Sequence, residues 1–142
     1  MGKQELENLA NLGDLKREPG ARAEFDGMIH AARNRLADAH DGKLSPESRF
    51  DLAYNAAHGF ALAALRQNGY RPDRKRYIVF QALTHTVGMA PAVTRVFSKC
   101  HDLRNLAEYE GDTEVDHQLL QELLRHTVDL EKAVLALERP AK

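Results

Sequence analysis

Hydrophobic residues recur along the chain at spacings of three and four, and strand-like alternation is hard to find, which is the signature of amphipathic helices. The first stretch, Gly2 to Leu12, forms a short helix edge from Leu6, Leu9 and Ala10, and Gly13 to Gly20, with Pro19-Gly20, breaks it. A longer helix is expected from Ala21 to Ala39 on the stripe Phe25, Met28, Ala32 and Leu36, closed by Asp41-Gly42. The best-marked start follows: Ser45 as N-cap, Pro46 at the first helical position and Glu47 in the first turn. From Phe50 to Leu65 this helix is apolar on most faces, which predicts the centre of the fold, and Asn68-Gly69 stops it. Asp73 is a cap for a helix through Tyr77, Phe80, Leu83 and Val87, ending at Gly88. Pro91 opens the next helix and Gly111 ends it. Asp112 or Thr113 caps the last, whose apolar positions run from Val115 to Leu137. The expected fold is all-α, an antiparallel bundle of four or five helices with no β-sheet, in which residues 1–20 are a peripheral segment.

Composition narrows the class. The chain has 142 residues, 43% hydrophobic and 29% charged, which suits one globular domain over 1–142 and argues against disorder. With a single cysteine there is no disulfide within the chain, and a cytoplasmic home is expected. No apolar run follows Met1, so no signal peptide is read there, and Phe60 to Leu65 is far too short to span a bilayer. A net charge of −1 opposes bulk attraction to nucleic acid while leaving room for a local basic face.

Candidate chemistry concentrates between Lys99 and Gly111. On a helix, Cys100, Leu103 and Ala107 share one side, while His101, Arg104, Asn105 and Glu108 share the other, with Tyr109 one turn beyond Asn105. Arg104 suits bidentate phosphate binding, or it is a surface arginine paired with Glu108. His101 is an imidazole within one turn of Arg104, or a half-exposed structural histidine. Asp51, Asn55 and His58 share a face of the central helix; they complete a polar pocket beside Arg104, or satisfy one another. Arg66, Arg71, Arg74, Lys75 and Arg76 crowd one helix end, as a nucleic-acid contact or as a solvated cationic turn. The Glu114-x-x-His117 motif is a single copy, and a di-iron bundle centre requires two; no metal and no cofactor is expected. Cys100 is expected in the core.

Three stretches together resemble the HEPN domains (higher eukaryotes and prokaryotes nucleotide-binding), in particular their small stand-alone prokaryotic branch. They are Arg49 to Leu65 with Asn68-Gly69-Tyr70, His85 to Val96, and Leu103 to Tyr109. The first is similar to the family's helix of aromatic and small residues with one histidine. The last is similar to its arginine, following polar residue and distal ring. The resemblance implies a homodimer in which two copies of Arg104 face one cleft, and an apolar supply around Phe50 to Leu65 that exceeds one bundle's needs points the same way. It implies nucleotide or RNA binding through Arg104, Asn105 and Tyr109, and a component of toxin–antitoxin type. Active relatives carry a histidine where this chain has Tyr109, so ribonuclease activity is expected to be weak or absent. The alternative is a non-catalytic module that docks on a partner such as a minimal nucleotidyltransferase.

Overall fold

The computed structural model describes residues 2–110 and 115–142, and of 107–110 the backbone alone. The chain is mostly helical. The order is α1 (Lys3–Asn11), β1 (Leu15–Arg17), α2 (Arg22–Ala39), α3 (Pro46–Gln67), β2 (Tyr70–Pro72), α4 (Ile78–Gln81), α5 (Leu83–Thr86), α6 (Pro91–Glu110) and α7 (His117–Leu135). Among the described residues no helix is long and apolar enough to cross a membrane.

The start of α3 is built as its residues dictate: the Ser45 hydroxyl accepts from the Ser48 N–H at 3.1 Å, and Pro46 occupies the first turn, where its missing donor costs nothing. Beyond that turn α3 is buried nearly all round. Phe50, Tyr54, Phe60 and Leu65 carry its bulk, and alanines at positions 53, 56, 57, 61, 63 and 64 let neighbouring helices approach. The closest approach is at Gly59, where an added Cβ would stand 3.2 Å from the Cβ of Ala32 on α2.

Cross-helix bonds fix the directions. The Arg49 guanidinium donates to the Ala39 carbonyl at 2.9 Å, and Arg66 reaches Glu24 at 2.8 Å, so the end of α2 lies beside the start of α3. Arg33 pairs with Glu131 at 3.1 Å and Arg139 with Asp26 at 2.9 Å, which sets α7 antiparallel to α2. Asp51 and Tyr54 meet Arg104 and His101, respectively, so α6 runs antiparallel to α3. The result is an up-down-up-down arrangement of the four long helices, with α4 and α5 wedged between α3 and α6.

Four expectations are corrected. The chain does contain a sheet: β1 and β2 pair antiparallel, with Leu15 opposite Pro72 and Arg17 opposite Tyr70. Gly69, at φ +89°, turns the chain out of α3 into this ribbon, as its missing Cβ allows. Residues 1–20 are consequently tied in. Leu6 and Leu15 enter the core, Tyr70 donates its phenol to Glu7, and Glu7 pairs with Arg17 at 2.9 Å. Asp73 does not cap a helix, because α4 starts only at Ile78; its N–H instead bonds the Asp14 carbonyl at 3.1 Å and extends the ribbon. Finally, α7 is capped by Asp116, whose carboxylate accepts from the Gln118 N–H at 3.2 Å, whereas Asp112, Thr113 and Glu114 lie outside the described residues. The apolar surface of α3 is spent inside the protomer, so it supplies no face for a second copy.

Candidate functional site

One face of α3 carries Asp51, Tyr54, Asn55 and His58 at the helical repeat, and α6 lays His101, Arg104 and Asn105 against it. Tyr54 joins the two helices. Its hydroxyl lies 2.6 Å from Nδ1 of His101, and the Nε2 of that ring is 3.1 Å from the Asn105 amide nitrogen. An amide nitrogen can only donate, so this orientation of Asn105 assigns Nε2 as acceptor. The neutral ring then carries its proton on Nδ1 and donates it to the tyrosine oxygen. Tyr77 packs on the other side of His101, with ring centroids 5.7 Å apart.

Arg104 sits over the Tyr54 ring, its Cζ 5.1 Å from the ring centroid, and its Nε is 3.4 Å from the Asp51 carboxylate. The Asp51 side chain is 62% exposed and that of Arg104 29%, so the ion pair sits in water and contributes little. A phosphate oxygen pair could therefore replace Asp51 at small cost. Beside this cluster opens a cleft of about 400 Å³ lined by Tyr77, Gln81, Ser98, His101, Asp102 and Asn105. Arg104 is the neighbour of Asn105 on α6 and does not itself line the cleft.

His58 lies deeper. It is 8% exposed, edge-on to Phe80 with centroids 5.8 Å apart, and its Nε2 has no hydrogen-bond partner. Burial, reinforced by the positive charge of Arg76, pushes the imidazole down to about 4, so it is neutral at pH 7. Asn55 lies beside it, in a cleft it shares with Arg35 and Arg76. Asp51, Asn55 and His58 thus do not bond one another; Asp51 turns to Arg104, and His58 faces the opposite cleft.

The structure brings Arg104, Asp51, His101 and Asn105 together at one place, with Tyr54 at its centre. Tyr54 was not singled out beforehand, although its position three after Asp51 and four before His58 put it on the same face. The Glu108 and Tyr109 side chains, both proposed for this site, lie outside the described residues, as does an Arg104–Glu108 pair. The basic run is not one surface. Arg66 is buried and bonds Glu18, Glu24 and the carbonyls of Glu18, Pro19 and Tyr70; Lys75 lies 5.9 Å over the Tyr77 ring; and Arg76 faces the cleft of His58. Burial pushes the Cys100 thiol up to about 12, which makes it a core residue without nucleophilic character. Among the described residues no group of three or more His, Cys, Asp or Glu side chains could hold a metal ion.

Comparison of the chain with protein-family models, with curated proteins and with solved structures found no match.

Proposed function

We propose that this chain is a HEPN-like, nucleotide- or RNA-binding protein of the cytoplasm, acting as a homodimer and as a component of toxin–antitoxin type. The observation that carries the reading is the Arg104 guanidinium placed over the Tyr54 ring beside an exposed, weakly engaged carboxylate. A planar fork in that position offers two parallel donors to a phosphate, and the phosphate displaces Asp51. Asn105 and the adjoining cleft receive the base or ribose. His101, bonded to Tyr54 and Asn105, is the one imidazole placed to hold a proton near a bound phosphate. Where active relatives of the resembled family carry a histidine, this chain has Tyr109, whose phenol is a poor base at neutral pH, so cleavage is weak or absent.

A non-catalytic docking module, with a nucleotidyltransferase as partner, is the second reading. It is favoured by Leu106, a large apolar side chain left exposed next to Asn105.

Calorimetry with a short RNA and with ATP tests the first reading. Loss of a charge-assisted bond in Arg104→Ala should weaken binding about ten- to a hundredfold with the fold intact, and Arg104→Lys should recover part of it. Tyr109→His should bring out or raise RNA cleavage on a gel. If the wild type binds neither probe and Arg104→Ala lowers the melting temperature, Arg104 is structural and the docking reading replaces this one. Sedimentation equilibrium at tens of micromolar protein checks the homodimer, and a monomer there removes it.

A further inference from the structure

On the far side of Tyr54 from His101, between α2 and α3, lies a cleft of about 520 Å³ with both chemistry and shape. Arg35 enters from α2, Asn55 and His58 from α3, and Arg76 from the segment joining β2 to α4. Gly59 and Leu62 provide an apolar floor.

Three observations set this cleft apart from ordinary surface. First, two exposed arginines, Arg35 and Arg76, line one concavity, and among the described residues neither is joined to a carboxylate. Glu18 and Glu24, which line an adjoining cleft with Arg76 and His58, are already engaged by Arg66 and Arg71. Two uncompensated cations at one concavity repel each other until an anion arrives. Secondly, His58 lines the same cleft more than nine-tenths buried, with a ring nitrogen that bonds nothing. A buried donor or acceptor left unmade is expensive, and a ligand atom at the cleft floor completes it. Thirdly, the Asn55 amide on the same helix face supplies both a donor and an acceptor.

We propose that this cleft binds a phosphate monoester, its phosphoryl oxygens held by Arg35 and Arg76, one of them reaching Asn55 and His58, and its organic group lying on Gly59 and Leu62. Two guanidinium forks match a dianion with three terminal oxygens better than a carboxylate with two. The apolar floor favours an ester over the free ion. The site uses none of Arg104, Asp51, His101 or Asn105, so it stands or falls separately from the nucleotide reading.

Calorimetry in a phosphate-free buffer with phenyl phosphate, inorganic phosphate and benzoate decides it. Phenyl phosphate should bind most tightly and benzoate most weakly. Arg35→Gln and Arg76→Gln should each reduce phenyl phosphate affinity about ten- to a hundredfold, and Arg104→Gln should leave it unchanged. Both arginines of the cleft are exposed, so the melting temperatures of those variants should match the wild type. Ring-nitrogen NMR of His58 adds a direct readout, because its Nε2 resonance should shift on titration with phenyl phosphate and stay still with benzene. The proposal is overturned by absence of binding at about 10 mM phenyl phosphate, by equal affinity for benzoate, or by loss of binding in Arg104→Gln with retention in both cleft variants.

Discussion

Acidification should weaken the fold in a pH window where its carboxylates are still charged, and His58 is the reason. In the folded chain its pKa is depressed from 6.5 to about 4 because the ring is buried beside the charge of Arg76; unfolded, it returns to the ordinary value. The unfolded state therefore binds the extra proton first. Stability from this group is fully present above about pH 6.5 and is lost as the pH falls from there towards 4. One pKa unit corresponds to 1.36 kcal/mol, so the whole gap amounts to roughly 3 kcal/mol, and by pH 5 about 2 kcal/mol of it is gone. With an m-value of about 1–3 kcal/mol per molar urea, that moves the unfolding midpoint by about 1 M.

Urea titrations of the wild type and of His58→Gln, from pH 7.5 to 5.0 in a buffer free of phosphate, read the effect. A glutamine keeps an amide in the same place and cannot take up the proton, so its midpoint should fall less by about 1 M over this range. The chain has seven histidines, and comparing the two slopes cancels the other six. Parallel slopes would refute the reasoning, since they would mean that the ring is as easily charged in the fold as out of it.

Two further predictions concern residues whose chemistry is spent on the fold. Arg66, with its side chain 6% exposed and five oxygen partners, should cost about 2–4 kcal/mol when replaced by alanine, measured by urea unfolding. Arg71→Ala, at a half-exposed pair with Glu18, should stay within about 1 kcal/mol, and equal losses at the two positions would contradict the assignment. Cys100 should resist a thiol reagent in the native protein at pH 8 and react promptly in urea; rapid native modification would place it outside the core.

The long helices were legible because each combined a periodic apolar stripe with a chemical boundary, as Ser45-Pro46 and Asn68-Gly69 show for α3. The ribbon was not. Leu15–Arg17 and Tyr70–Pro72 have three residues each, too short for alternation to register, and they are held by pairing between distant segments, which no local pattern reports. The same limit hid the role of Arg66, since its charge reads as surface until Glu18, Glu24 and three carbonyls are seen to converge on it. Of the site, the faces of α3 and α6 could be read from spacing, but the meeting of Asp51 with Arg104 across the two helices could not. The contributions of Arg35, Arg76 and Tyr77 depend on how α2 and the segment before α4 are placed, which spacing along one helix does not encode.

The energetics of α3 give the strongest reason to look for ligands on its polar face. Most of this helix beyond its first turn follows the rule of a central helix, with aromatic residues and alanines packed to zero or near-zero exposure. Asp51, Tyr54, Asn55 and His58 break that rule along a single line, and apolar residues of similar size would fill the same line without leaving a ring nitrogen unbonded or a histidine held neutral. Tyr54 and Asp51 find partners on α6, which is sufficient structural reason for both. The Nε2 of His58 finds none. A buried ring nitrogen left without a bond is costly, and departures of this kind cluster where a protein binds something. The two uncompensated arginines lie at that same end of the line. A phosphate there would supply the bond that His58 lacks and the charge that Arg35 and Arg76 lack. One ligand thus resolves both departures, and binding should raise the stability of the fold together with the pKa of His58.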